Sequence, residues 1–287
     1  MASAFSILPH RAILALTGPD TITLLERLVT NATDDWSDGE TRYGALLTPQ
    51  GKVIADYLAI RTPHGVLLDV SQDHLADLEK RLKMFRLRSE VEIASLPDMQ
   101  VIAALDSSDL ETANAQIERI YTDPRYPGGR QRGLIAQQPL PAARPISEYH
   151  ADRIANGVPE QGFDFAQADV FPADINMDIL SGVALNKGCF VGQEVVSRMH
   201  RRGKIRKRSL TVTLPDAITA GSGDDLMAPA PIGALTSCQD KIALARIRID
   251  RWLAADHDGH VVTLHETPVI IEKPDWLLVE QESKQGA

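Results

Sequence analysis

The chain has 287 residues, with 30 Lys and Arg against 39 Asp and Glu and a formal net charge of −9. Hydrophobic residues make up 44% and charged residues 24%, the balance of a folded soluble chain of about two domains, and no apolar run reaches the ~18–20 residues of a membrane span. Two cysteines, Cys189 and Cys238, exclude a disulfide scaffold and a Cys-rich zinc module. They also exclude a permanent iron–sulfur cluster held by this chain alone, which takes about four thiolates. The first residues lack a basic region followed by a long apolar run, so the sequence predicts no secretory signal, no organelle-targeting peptide and cytoplasmic residence. The acidic balance argues against broad coating of nucleic acid.

Residues 10–16 read as a strand. Gly18-Pro19-Asp20 opens a helix with Pro19 at its first position, where a missing N–H costs nothing; Ile22, Leu25, Leu28 and Val29 share one face. Arg42–Thr48 and Lys52–Arg61, joined by Pro49-Gln50-Gly51, predict a hairpin. Val66–Val70 is another short strand, and Ser71 caps a helix carrying Leu75, Leu78, Leu82 and Phe85 at helical spacing. Val91–Ala94 and Gln100–Leu105 read as strands. Tyr121 to Pro145 is rich in Pro, Gly and Arg and reads as loop with a strand near Arg132–Ala136. A helix starts at Ser147 and stops at Gly157.

From about Lys207 the texture changes. The runs Ser209–Leu214, Ile232–Ser237, Ile242–Trp252, Val261–His265 and Val269–Glu272 follow one another with turn residues between and little helix signal, which predicts a small closed β domain over 207–287. Residues 1–206 mix helices with antiparallel hairpins, so the fold class is α+β.

The stretch richest in chemistry is Lys187-Gly188-Cys189-Phe190-Val191-Gly192-Gln193-Glu194, a turn feeding a short helix with Val195, Val196 and Met199 on its buried side. A cysteine beside Lys187 and near a helix N-terminus has its thiolate favoured by both positive potentials, which suits a nucleophile, a redox thiol or a metal ligand. The same residues also fit a small, inert, buried cysteine, with Glu194 pairing to Arg198 one turn on.

Lys187–Glu194 resembles the K-G-C-[FY]-x-G-Q-E signature of the YgfZ family, the folate-binding proteins of iron–sulfur cluster assembly. Arg153-Ile154-Ala155-Asn156-Gly157-Val158-Pro159, Pro172, Asn176 and the Arg198–Lys204 segment fit that family's flanking pattern. So do Leu16–Asp20 and Leu47–Lys52. The family is similar in fold to the aminomethyltransferase (T-protein) of glycine cleavage. The resemblance implies three domains around a cavity that takes tetrahydrofolate, the last a β-barrel, with iron–sulfur assembly or client proteins as partners. It makes Cys189 a reactive thiol or transient cluster ligand. Asn176 and Asp178 become candidates for the pterin edge, and Lys187, Gln193 and Arg198 for the rest of the folate. T-proteins carry a pair of acids after the hairpin glycine. Here the stretch is Gly51-Lys52-Val53-Ile54-Ala55-Asp56, and Asp56 alone remains as a candidate general base for a transferase.

Residues 198–208 hold Arg198, Arg201, Arg202, Lys204, Arg206, Lys207 and Arg208, seven cations in eleven residues, leaving −16 on the other 276. Such a focus suits RNA phosphates, a polyglutamate tail or an acidic protein, or is a solvated connector between domains. His257-Asp258-Gly259-His260 has ligand-like spacing, but Asp-Gly reads as a hairpin turn. Pro127-Gly128-Gly129-Arg130 lacks the residues of a phosphate loop, and Cys238 reads as core.

Overall fold

A computed structural model of the chain describes residues 5–105, 110, 117–140, 143–201, 203, 205–216 and 218–278. Strands β1 (Phe5–Ile7) and β2 (Arg11–Thr17) lead to helix α1 (Thr21–Leu28). Then come β3 (Thr41–Leu47), β4 (Val53–Thr62), β5 (Gly65–Ser71), α2 (Leu75–Arg86), β6 (Glu92–Ser95), β7 (Met99–Ala104), β8 (Ile117–Asp123), β9 (Arg130–Ala136) and α3 (Ile146–Ala155). A long stretch of turns runs to α4 (Gln193–Arg201). Beyond it lie β10 (Lys207–Thr213), β11 (Asp225–Ala228), β12 (Ala230–Gln239), β13 (Ile242–Arg248), α5 (Ile249–His257), β14 (Thr263–Leu264), β15 (Thr267–Pro268) and β16 (Ile270–Ile271).

The first part is two antiparallel sheets face to face, ordered β3-β4-β5-β2-β6 and β1-β7-β9-β8. Strand alternation sorts the side chains. Along β4, Leu58 and Ile60 point between the sheets and meet Val101, Ala103 and Leu134 from the facing sheet. Their neighbours Tyr57 and Ala59 point outward to α1 and α2, which bury Leu24, Leu25, Leu28, Leu78 and Leu82. The chain starts in one sheet with β1, builds the other with β2 to β6 and returns to the first with β7 to β9.

The third sheet is the C-terminal β-barrel, ordered β15-β14-β11-β12-β13-β10-β16. Its two edge strands are joined through the single residue Val269, whose N–H bonds to the Val262 carbonyl at 3.0 Å. That short connection bends the sheet round on itself and leaves little open edge. Leu210, Val212, Leu226, Leu235, Ala245 and Ile247 fill the interior.

Several elements differ from the sequence reading. The run Ile242–Trp252 is not one strand: β13 stops at Arg248, and α5 follows, laying Ile249, Trp252 and Ala255 on the barrel. Apolar alternation passes into helical spacing there without a Gly or Pro to mark the change. Asp258-Gly259 ends that helix instead of turning a hairpin. Pro19 lies ahead of α1, whose N-cap is Asp20, and Ser71 belongs to β5, with a 3-10 turn over Gln72–His74 before α2. Strand β1 is too short, at three residues, and β8 too polar to stand out in sequence. No helix among the described residues is long and apolar enough to cross a membrane.

Candidate functional site

The loop that carries Cys189 is pinned from both sides. Ahead of it Lys187 turns inward, its side chain 2% exposed. Its ammonium donates to the carbonyls of Val29 at 2.9 Å and Asn31 at 2.8 Å, just past α1, and pairs with Glu26 at 3.3 Å. Behind the cysteine, Phe190 is buried in the core between the sheets, with the Lys187 ammonium 5.5 Å from its ring centre. Gln193 closes the loop: its backbone N–H donates to the Phe190 carbonyl at 3.1 Å and its side-chain amide to the Lys187 carbonyl at 3.2 Å. Between these anchors Cys189 is exposed, with a free thiol.

Electrostatics supports pinning as the task of Lys187. Burial lowers its ammonium from the usual lysine range, with Glu26 opposing. Burial would raise the Glu26 carboxyl, but two hydrogen bonds from Thr33 and the nearby ammonium outweigh it and hold the group below the usual range. The donors of Lys187 are therefore spent on the Val29 and Asn31 carbonyls and on Glu26.

Two glycines seat this loop on the β3–β4 hairpin. Gly192 has φ +82°, and a Cβ there would lie 2.7 Å from the Thr48 carbonyl oxygen. Gly51, at the hairpin turn, has φ +80°, and its Cβ would lie 3.0 Å from the Val195 side chain. Nothing lies within 4 Å of a Cβ built on Gly188, the other glycine of the signature. From Gly192 onward α4 buries Val196 and half-buries Val195 and Met199. Glu194 and Arg198 stand exposed on its outer side, and Gln193 lines a cleft of about 590 Å³ with His200 and Arg201.

The other residues singled out from the sequence are not gathered with these. Asn176 is buried, with a left-handed backbone at φ +59°. Its amide donates to the Ser209 carbonyl at 2.6 Å and its side-chain oxygen accepts from the Ser209 N–H at 3.3 Å, which ties the preceding segment to β10. Asp178 takes both arms of Arg208, at 2.6 and 3.0 Å. Arg208 is thus a buried structural partner and leaves the basic patch; Arg202 and Lys204 lie outside the described residues. Cys238 is half-buried on β12, and burial pushes its thiol up to about 11. Asn176, Asp178 and Lys187 thus direct side-chain polar atoms to partners within the protein.

Asp56 lies elsewhere, on the inner face of β4, 1% exposed. The Tyr43 hydroxyl donates to its Oδ2 at 3.0 Å, while its Oδ1 has no hydrogen-bond partner among the described residues. Burial raises this carboxyl above the usual aspartate range, with Arg11 and Arg125 opposing.

Nearby runs a feature that sequence reading missed. Arg125, Asp123, Arg132, Asp69, Arg11, Glu160, Arg153 and Asp164 form one alternating chain of buried ion pairs, with links of 2.7, 3.0, 2.8, 2.6, 3.3, 3.7 and 2.6 Å. Tyr121 donates its hydroxyl to Asp69 and Tyr149 to Glu160. The last pair reaches the barrel, where Arg153 donates to the Ser237 hydroxyl and Asp164 accepts from that of Thr236. Asp69 and Asp123 are held below their usual range because their arginines outweigh burial; His10, Arg11 and Arg132 do the same for Glu160. In the sequence these charges look like the wet faces of strands. Their mark is an Arg or Asp at the same parity as core residues, such as Asp69 two positions after Leu67.

Comparison with known proteins agrees with this architecture. Residues 206–278 match the family model described as CAF17, C-terminal beta-barrel domain. Over 220 residues the chain is 36% identical to the mitochondrial iron-sulfur cluster assembly factor IBA57 homolog of Mycosarcoma maydis, covering 70% of this chain and 54% of that protein. It is 28% identical to the mitochondrial iron-sulfur cluster assembly factor IBA57 of Homo sapiens, covering 94% of this chain and 84% of that one. The chain spans between 53% and 60% of the first fungal relatives it matches. Among solved structures, the glycine cleavage system aminomethyltransferase T from Bartonella henselae superposes with a TM-score of 0.63 at 15% identity, over 87% of this chain and 79% of that one. The fold is therefore T-protein-like.

These names correct one expectation. Cytoplasmic residence is overturned, because the curated relatives are named as mitochondrial. Two free cysteines do not choose between the cytosol and a mitochondrial compartment.

Proposed function

We propose that this protein is an accessory factor of iron–sulfur cluster assembly in the mitochondrial setting of its relatives, and that Cys189 is the residue that engages the cluster or its carrier. The observation that carries the reading is the exposed Cys189 held between the buried Lys187 and Phe190. A loop pinned at both ends presents its thiol in one place, so the thiol meets a partner without first being ordered. The similarity to cluster assembly factors supplies the substrate class.

The chemistry is ligand exchange. The Cys189 thiol gives up its proton to solvent as its sulfur bonds a cluster iron, one ligand on that iron is released, and no electron moves. One thiol cannot hold a cluster, so a partner protein supplies the remaining ligands. The test is anaerobic mixing with a cluster-loaded carrier, followed by visible absorbance and circular dichroism of the complex. Cys189→Ser is expected to abolish the new signal and Cys238→Ser to leave it; a signal that persists in Cys189→Ser would sink the proposal.

A second reading, tetrahydrofolate binding, has one observation in its favour: the unpartnered Oδ1 of the buried Asp56, an acceptor that suits adjacent pterin N–H groups. The folate would supply a one-carbon carrier. Calorimetric titration with reduced tetrahydrofolate tests this, and saturable binding that Asp56→Asn leaves unchanged would remove Asp56 from it.

A further inference from the structure

Helix α2 and the turn that leaves it carry a surface that cluster chemistry does not use. Lys80 to Arg88 reads Lys-Arg-Leu-Lys-Met-Phe-Arg-Leu-Arg, five cations and no acid in nine residues of a chain with net charge −9. Leu78 and Leu82 dock the helix on the five-stranded sheet. That leaves Lys80, Lys83 and Met84 exposed on the helix, and Arg86, Leu87 and Arg88 exposed at its end and in the turn. Arg81 and Lys83 pair with Asp77 and Glu79 at 2.6 Å, and Arg86 donates to the Val91 carbonyl. Lys80 and Arg88 make no hydrogen bond or ion pair among the described residues.

Two apolar side chains stand amid these charges, Met84 at 61% exposure and Leu87 at 84%. Leu87 has φ 50° and ψ −107°, the conformation of the first central residue of a type II′ turn, and the Ser89 N–H closes that turn on the Arg86 carbonyl at 2.8 Å. Glycine is the ordinary occupant there. Backbone preference disfavours a leucine at this point, and together with Met84 it forms an exposed apolar pair ringed by cations.

We propose that this corner docks on an anionic lipid surface, with Leu87 and Met84 entering the boundary of the acyl chains and the surrounding cations meeting phosphates. Both apolar side chains stand out into solvent. A bilayer accepts a protruding aliphatic tip without a matching recess, whereas a protein partner must supply one, and an RNA backbone would leave both tips in water. Opposite signs on the corner and on the rest of the chain turn this face toward negative charge.

Cosedimentation of the full chain with phosphatidylcholine vesicles, with and without phosphatidylglycerol, is the test. Binding is expected only with the anionic lipid, and it should weaken as salt rises. Lys80→Gln with Arg88→Gln should lower it roughly twenty-five-fold, about fivefold for each charge near the surface. Leu87→Gly removes the inserting side chain and suits the turn, so it should weaken binding several-fold without lowering the thermal midpoint. The proposal falls if the unaltered protein does not bind, or if these variants bind equally. Retention on immobilised poly-glutamate without vesicle binding would assign the corner to an acidic protein and overturn the lipid reading as well.

Discussion

Replacing Lys187 by Met separates two roles that this position could play beside Cys189. Methionine keeps much of the apolar stem and removes the ammonium that bonds Val29 and Asn31 and pairs with Glu26. Two hydrogen bonds from a charged donor contribute about 1.5–3 kcal/mol each. Against that, the variant no longer buries an ammonium, which costs several kcal/mol. Glu26 stays one-third exposed and keeps its bonds from Thr33, so it is not stranded. The net loss expected is about 2 kcal/mol. It should appear as a lower urea midpoint and as faster amide exchange across residues 187–193. Cluster transfer through Cys189 should drop, because the thiol is no longer held in place. Alkylation of Cys189 by iodoacetamide at fixed pH should change less than about twofold, since the thiol is already exposed. Alkylation slowed tenfold with an unaltered urea midpoint would refute the reasoning and make Lys187 an activator of the thiol.

The two glycines of the signature should respond in opposite ways. Gly192→Ala forces an L-residue to φ +82° with its Cβ 2.7 Å from a carbonyl oxygen, and should cost about 2 kcal/mol or more in urea unfolding. Gly188→Ala meets open space and should stay within about 0.5 kcal/mol. Arg132→Met leaves Asp69 and Asp123 short of a partner in the core, so a loss of about 3–5 kcal/mol is expected by denaturation. Asp69, Asp123 and Glu160 have folded pKa values below their unfolded ones. Their contribution is present above the ordinary carboxylate range and is lost as pH falls through it toward the folded values; a pH titration of the urea midpoint should decline on that acid side. Asp56 is shifted the other way, so its ionised form opposes folding above the ordinary aspartate pKa. Asp56→Asn should therefore stabilise at pH 7 more than at pH 4, and an equal effect at both would remove the burial argument.

Much of the fold is legible in the sequence because local and global signals agree. Pro49-Gln50-Gly51 turns the β3–β4 hairpin where the flanking strands require it, and Gly157 follows α3. The change of texture near Lys207 marks the start of the barrel sheet at β10. The site is legible only in part. The signature locates Cys189 and its loop, but which way Lys187 points depends on the carbonyls of Val29 and Asn31, more than 150 residues away in the chain. The buried ion-pair chain is less legible still. Its members come from β2, β5, β8, β9 and α3 and from turns, and each looks like an ordinary surface charge until the two sheets close over it.

That chain has an evolutionary consequence. Each inner charge touches two of opposite sign, so a single substitution strands its neighbours in the low-dielectric core. Replacing both members of a contact by apolar residues is far milder than replacing one. A lineage that drifts at Arg11, Asp69, Arg132 or Glu160 must therefore pass through a poorly stable intermediate or change both partners together. These positions should covary as linked couples across relatives, while the exposed Cys189, which touches no such partner, is free to be kept or lost on its chemistry alone.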